Sequence, residues 1–408
     1  MKVGERMLKD KNIIVGVTAG IAAYKVVDVV SKLKKQDANV EVIMTENATK
    51  FVSPLTFQTL ALNPVYVDMF KEPRNYDVEH ISLAEKADAF LIAPATANII
   101  GKIANGIADD LLTTTIMATK SKVVFAPAMN TNMYLNPIVQ KNMDYLRSLG
   151  YEFIKPGIGM LACQTYGPGR MAEPIDIVEY LVNSFYDKDL IGQKIVVTAG
   201  PTIEPLDPVR YVTNHSSGKM GYKIAEEARN RGAEVILITG PTTLKPPMGV
   251  EVIRVDTTRE MFNAVEEQFH QCQVLIKAAA PLDYRPEVVS DIKIKKKEGE
   301  KDELNIKYIR NPDIAAHFGK MKKNQIVVGF AAETNDLIEH AKDKLIRKNL
   351  DFIVANDISK DGAGFKTDTN LVTIIDKNGL VTDYPILDKR QVAKIIIDKV
   401  KDLINTRS

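Results

Sequence analysis

Two series of short runs rich in valine and isoleucine, separated by stretches of helical period, constrain this chain more than any other feature. The first covers residues 12–17, 40–44, 89–93 and 123–126; the second covers residues 194–198, 234–239, 252–255, 274–278, 326–329, 352–355 and 372–375. Runs that are apolar at nearly every position do not suit a sheet with one face in water. They suit strands buried on both faces with helices as cover, so an α/β fold built on parallel sheets is expected. At 408 residues the chain exceeds what one hydrophobic core ordinarily fills. The two series open alike, NIIVGVTAG and KIVVTAG, each leading through a helix to VEVIM or EVILIT. Duplication and shared architecture explain that echo equally well. The helical stretch EPIDIVEYLVNSF runs out into the polar YDKDLIGQ, which sets the expected domains at residues 1–189 and 190–408.

Composition removes several function classes. Lys and Arg number 54 against 52 Asp and Glu, and tryptophan is absent, so neither a nucleic-acid surface nor a base-stacking platform is expected. No run approaches 18 apolar residues, and the basic start lacks a secretory cleavage pattern, so no membrane partner is expected. The cysteines are Cys163 and Cys272, in unlike settings, which argues for a reducing compartment and a cytoplasmic protein. Residues 290–307, SDIKIKKKEGEKDELNIK, are dense in charge and expected to form an exposed hairpin or loop.

In open α/β sheets, ligands bind beyond the carboxyl ends of the strands. Three such loops stand out in the first half: VTAGIAAYK with Thr18, Ala19 and Gly20 before a helix; APATAN with Pro94, Thr96 and Asn98; and APAMNTNM with Asn130. In the second half, TAGPTIEPLDPVRYVTNHSSGKMG supplies Ser216, Ser217 and Gly218 at a helix start, an anion-facing arrangement. It is not a Walker A loop, since Met220 follows Gly218-Lys219 where Ser or Thr would hold Mg2+. Neither first strand leads into GxGxxG with an acidic residue some 20 positions on, which disfavours a dinucleotide-dependent oxidoreductase.

The motifs APATAN, PAMNTNM and LACQTYGPGRMAEP, in order across about residues 10–180, resemble the flavin-containing cysteine decarboxylases, specifically the phosphopantothenoylcysteine decarboxylases. The resemblance implies a Rossmann-like domain binding FMN through Thr18, Ala19, Gly20, Thr45, Thr96 and Asn98. It implies His80 as catalytic base, Asn130 holding the substrate carboxylate, Met133 packing beside it, and Cys163 as proton donor on a glycine-rich lid with Gly157, Gly159, Gly167 and Gly169. Local sequence alone reads His80 as a surface histidine, Met133 as core and Cys163 as a small buried filler, and that last reading is kept for Cys272. His270, His317 and His340 lie in polar helical stretches and read as surface residues. In the implied chemistry FMN oxidises the thiol carbon to a thioaldehyde, which can delocalise the electrons left by CO2. The enethiolate then receives hydride from the reduced flavin and a proton from Cys163. Two residues depart from the family pattern, Gln164 for a glycine and Tyr134 for a tryptophan.

AAAPLDYRP, KIKKK, YIRNPDI, VGFAAET and KLIRKNLDFIVAND follow the TAGPTIEP segment and resemble phosphopantothenate-cysteine ligases through nearly all of residues 190–400. This implies a second Rossmann-like domain that joins 4'-phosphopantothenate to cysteine through an acyl-cytidylate made from CTP. Lys293 is then the catalytic lysine, Lys344 and Lys348 place two ammonium groups on one helix face, and Asn214 binds the acyl-cytidylate. Arg210 is a phosphopantothenate contact, and Asp283 meets the nucleotide or its Mg2+. Ala278, Ala279, Pro312, Asp313, Ile314, Ala315 and Phe330 frame the cytidine. Pro281-Leu282 stands where Val-Ala is usual, and Ile203 replaces a polar residue. Fusion in this order is that of the bifunctional enzymes of coenzyme A synthesis and implies a homo-oligomer, a dodecamer. The alternative is a non-enzymatic flavoprotein that binds a partner, which His80, Cys163 and Lys293 argue against.

Overall fold

The computed structural model describes residues 7–70, 78–160, 164, 166–295, 304–333, 337–357 and 367–407. The chain divides into two units, whose bodies are Val3–Tyr186 and Asp187–Ser408.

The first unit begins β1 (Asn12–Val17), α1 (Ala23–Lys34), β2 (Asn39–Met44), α2 (Pro54–Ala61), β3 (Val65–Tyr66), α3 (Glu79–Lys86) and β4 (Ala89–Ala95). It continues α4 (Ala97–Ala104), α5 (Leu111–Ala118), β5 (Lys122–Pro127), α6 (Thr131–Tyr134), α7 (Pro137–Ser148) and β6 (Glu152–Phe153). A hairpin, β7 (Gly157–Met160) with β8 (Tyr166–Arg170), then leads to α8 (Pro174–Ser184). The sheet runs β3-β2-β1-β4-β5-β6, with every pair parallel. Alternation along β1 shows why the run is apolar throughout. Ile13, Val15 and Val17 pack with Val26, Val30, Ile177 and Leu181 of α1 and α8, while Ile14 meets Ile92, Ile99 and Leu112 on the opposite face.

The second unit opens with β9 (Lys194–Ala199), β10 (Ile203–Pro205), β11 (Tyr211–Thr213), α9 (Lys219–Asn230), β12 (Glu234–Thr239), β13 (Glu251–Arg254) and α10 (Thr258–Phe269). Next come β14 (Val274–Lys277), β15 (Tyr284–Pro286), β16 (Tyr308–Arg310), α11 (Ile314–Met321), β17 (Ile326–Glu333), α12 (Leu337–Arg347) and β18 (Phe352–Asp357). It closes with β19 (Thr369–Asn370), β20 (Val372–Asp376), β21 (Val381–Asp383), β22 (Leu387–Asp388) and α13 (Lys389–Arg407). Its sheet order is β13-β12-β9-β14-β17-β18-β20-β21. The first six are parallel, but β20 and β21 are antiparallel, so the run at 372–375 extends the sheet rather than repeating the parallel unit. Cys272 is buried just before β14, its Sγ 3.4 Å from Phe269 O, and burial pushes its thiol up to about 12, as suits an inert filler.

In both sheets the winding direction reverses between the first and fourth strands, β1 beside β4 and β9 beside β14. Loops leaving those two strands in opposite directions open a crevice at the carboxyl edge, where ligands of doubly wound sheets bind. The charge-dense stretch is bracketed by the antiparallel pair β15 and β16, extended by Glu287 N–H donating to Lys307 O at 2.9 Å. Residues 291–293 are exposed, and residues 296–303 lie outside the described part.

Candidate active sites

In the first unit the reversal holds a cavity of about 1140 Å3 lined by Thr18, Ala19 and Gly20 after β1, Thr45 after β2, Thr96 and Asn98 after β4, and Asn130 and Met133 after β5. Six hydroxyl, amide and backbone positions expected for a flavin thus converge with the two expected beside the substrate. Thr18 Oγ1 donates to Pro94 O at 2.6 Å, tying the first loop to the fourth strand. Thr96 caps α4 by accepting from Ile99 N–H, and Asn130 Oδ1 accepts from Asn132 N–H at 2.8 Å, so these side chains are oriented by helix starts. Met129, Met160 and Met171 make one wall apolar, and Lys25, Lys102 and Arg170 place cations in the lining.

The glycine-rich segment expected as a lid is the β7/β8 hairpin, and its Met160, Gly169 and Arg170 reach the cavity. Gly169 has φ +129°, and a Cβ there would stand 2.3 Å from Met129 O, while its own carbonyl accepts from Met129 N–H at 2.9 Å. Only glycine allows the hairpin to lie this close to the loop carrying Asn130. Gln164 sits at φ +61°, which accounts for the family's glycine at that position. Cys163 lies outside the described residues. His80, half-buried on the first turn of α3, does not line the cavity.

In the second unit the loops after β9 and β14 are laced together. Ala279 N–H donates to Thr198 Oγ1 at 3.2 Å, Ala280 N–H to Gly200 O at 2.9 Å, and Leu282 N–H to Thr202 Oγ1 at 3.0 Å. Asn214 Nδ2 donates to Ala280 O at 3.0 Å and Pro281 O at 3.3 Å, and no described residue donates to its Oδ1. Asp313 caps α11 and pairs with Lys348 at 2.9 Å. Burial pushes the Asp313 carboxyl up, but the Lys348 hydrogen bond, the Ala316 N–H and the charges of Lys348 and Lys277 outweigh it and hold the group below its ordinary value. Lys348 N–H donates to Lys344 O, so both lysines stay on one helical face. Asp283 and Lys293 are exposed. Phe330 and Ala278 are half-buried near this edge, whereas Ile314 and Ala315 are buried against Phe318 and Val327. The side chains of Ile314 and Ala315 therefore belong to the core, and only their backbone can frame a ligand. Arg210 is committed to a salt bridge with Asp207.

Residues 190–404 match the family described as DNA/pantothenate metabolism flavoprotein C-terminal domain, and residues 2–186 match the family described as Flavoprotein. The chain is 47% identical over 401 residues to the coenzyme A biosynthesis bifunctional protein CoaBC of Bacillus subtilis, covering 97% of this chain and 98% of the relative. It belongs to that bifunctional family. The CoaBC protein of Escherichia coli is 42% identical over 395 residues, covering 96% of this chain and 97% of the relative. Among solved structures, the C-terminal domain of a CoaBC protein aligns over 54% of this chain and 100% of its own, with 41% identity and a TM-score of 0.47. A PPC decarboxylase mutant complexed with pantothenoylaminoethenethiol aligns over 42% and 97%, with 31% identity and a TM-score of 0.39.

The family motifs passed over one residue that the fold brings to the ligase edge. Lys277 ends β14, partly buried, its backbone in the ladders to β9 and β17 and its ammonium with neither a hydrogen bond nor an ion pair to a described residue. Burial, then the charges of Lys348 and Lys344, outweigh Asp313 and Asp283 and pull its ammonium down to about 8. Among the described residues, three lysines thus share one strand end with Asp313, which is paired to Lys348, and the exposed Asp283. A lysine closing the run VLIK gave no local signal, because most of the charges that face it, Asp313, Lys344 and Lys348, lie far along the chain.

Proposed function

We propose that the first unit is an FMN-dependent phosphopantothenoylcysteine decarboxylase and the second a CTP-dependent phosphopantothenate-cysteine ligase, two successive steps of coenzyme A biosynthesis. The observation that carries this is the convergence of Thr18, Thr45, Thr96, Asn98, Asn130 and Met133 on one cavity, in a chain of the bifunctional family.

The residues present fit a flavin mononucleotide: hydroxyl and amide donors, small side chains at the turn before α1 where a helix start suits a phosphate, and methionines for an apolar ring. Bound there, the flavin supplies a reversible two-electron acceptor, which loss of CO2 beside a thiol-bearing carbon requires. Asn130 holds the substrate carboxylate by its amide, and Met133 and Met129 give that side of the cavity an apolar border. Cys163 delivers the proton that ends the reaction, and His80 removes one at its start. Ile21 and Tyr24 line the same cavity while 63% and 59% exposed, which favours a homo-oligomer in which a second copy covers the rim and supplies His80.

In the second unit Lys344, Lys348 and Lys277 neutralise the phosphates of CTP, and Asp283 holds Mg2+ together with phosphate oxygens, the usual way this ion is bound. No group of three or more His, Cys, Asp or Glu able to hold a metal occurs among the described residues, which suits an ion arriving with the nucleotide. Lys293 stabilises charge as pyrophosphate leaves, and Asn214 presents Oδ1 to the acyl-cytidylate, from which cysteine displaces CMP. The substrates are small molecules, and no helix among the described residues is long and apolar enough to cross a membrane.

The test is direct. Purified protein should carry a flavin absorbance, release CO2 from phosphopantothenoylcysteine, and release pyrophosphate from CTP, more than from ATP, only when phosphopantothenate is present. A colourless protein inert after reconstitution with FMN would remove the decarboxylase, and pyrophosphate release independent of phosphopantothenate would remove the ligase.

A further inference from the structure

Asp207 and Arg210 lie in the turn between β10 and β11, far in sequence from Lys293. Asp207 is 3% exposed and receives five donors. Its Oδ1 accepts from Val209 N–H and Arg210 N–H, each at 2.8 Å, which shapes the turn. Its Oδ2 accepts from Arg210 Nε at 2.9 Å and Nη2 at 2.6 Å, and also from the backbone N–H of Ile294 at 3.1 Å. Arg210 Nη2 in turn donates to Ile294 O at 2.5 Å. Both peptide groups of Ile294 are therefore held by one ion pair. Four residues earlier, Ser290 N–H donates to Leu206 O at 3.0 Å, so the segment is tied at two points to the same turn.

Ile294 belongs to no strand or helix, and no ladder fixes the described residues 293–295. Its neighbour is Lys293, exposed and assigned above to the charge that develops as pyrophosphate leaves. A lysine side chain has four rotatable bonds, so its reach toward one phosphate depends on where its backbone is set. We propose that the Asp207–Arg210 ion pair is a clamp that fixes the backbone of Ile294 and thereby positions Lys293 for the first half of the ligase reaction. This rests on the ligase assignment of Lys293. It makes Asp207 and Arg210 positioning residues, and leaves Arg210 only its Nη1 edge for a phosphopantothenate contact. The carboxyl of Asp207 agrees: burial pushes it up, but the Arg210 hydrogen bond and the N–H groups of Val209, Ile294 and Arg210 outweigh it and hold it well below the ordinary range, so it stays an anion at any working pH.

A double-mutant cycle on the full chain tests the clamp, read as pyrophosphate release at saturating CTP and phosphopantothenate. Asp207→Asn is expected to lower kcat about 10-fold or more with the KM for CTP changed less than about 3-fold, to speed amide exchange at Ile294, and to leave decarboxylation of supplied phosphopantothenoylcysteine intact. In a Lys293→Gln background the same change should cost less than about 2-fold, because its route to the chemistry is already gone. Arg210→Gln, which keeps the turn bonds of Asp207, serves if Asp207→Asn does not fold and should behave the same way. If Lys293→Gln is impaired and either clamp variant is normal, or lowers the rate equally in both backgrounds, the clamp is overturned and the ligase assignment stands. If Lys293→Gln itself releases pyrophosphate at the wild-type rate, the assignment of Lys293 falls and the clamp with it.

Discussion

Lys277 offers a substitution that should strengthen the fold while weakening the function. Its ammonium is desolvated at the end of β14 and further repelled by Lys348 and Lys344, which takes its pKa from 10.5 to about 8. At about 1.4 kcal/mol per pKa unit, that gap sets an upper limit of about 3 kcal/mol against the charged form. Partial exposure reduces it, so Lys277→Met, similar in length and apolar, is expected to stabilise the ligase unit by about 1–2 kcal/mol at pH 7, or about 2–4 °C in Tm per kcal/mol. The pH dependence carries a definite sign. Below pH 8 both the folded and the unfolded chain hold the proton, and the full penalty is present. Between about 8 and 10.5 the unfolded chain holds a proton that the folded one has released, so wild-type stability gains from this group as pH rises, and the variant lacks that gain. The same change removes one charge-assisted contact to phosphate, worth about 1.5–3 kcal/mol, so CTP and pyrophosphate should bind roughly 10- to 100-fold more weakly. Thermal unfolding, following the transition that CTP shifts, gives the first quantity, and calorimetric titration with pyrophosphate gives the second. A variant less stable than wild type with unaltered pyrophosphate affinity would refute the reasoning and leave Lys277 as a strand-end residue.

Three further outcomes are expected. Gly169→Ala should destabilise the first unit by about 2–3 kcal/mol and lose flavin on desalting, because the new Cβ meets Met129 O; a stably yellow protein with wild-type Tm would contradict this. Asn214→Asp should abolish amide formation, since a second anion would face the acyl-cytidylate, while decarboxylation persists; coupled loss of both activities would contradict two separate sites. Cys163→Ser should let substrate be decarboxylated but stall before phosphopantetheine, which mass spectrometry of the bound species would reveal, and ordinary turnover would remove the proton-donor role.

Much of the fold was legible because burial on both sheet faces forces a local pattern: β1, β4, β9 and β14 are apolar wherever they are covered. The two-residue edge strands β3 and β6 gave no such signal, being too short to show a period. The antiparallel direction of β20 was equally silent, since an apolar run does not record which way its neighbour points. At the sites, loops directly after strands could be singled out, and the fold gathers those of the first unit onto one cavity.

From its residues alone the chain establishes two doubly covered sheets, the loops at their carboxyl edges, and the chemistry those loops can supply, because each is a property of neighbours along the chain. Tertiary structure decided the rest. It chose the strand order that opens a crevice at β1 and β4, pressed Gly169 against Met129, kept His80 off the cavity, and brought Lys277 to Lys348 and Asp207 to Ile294. Those relations join residues remote in sequence, and desolvation and charge act through space, so no window of the sequence contains them.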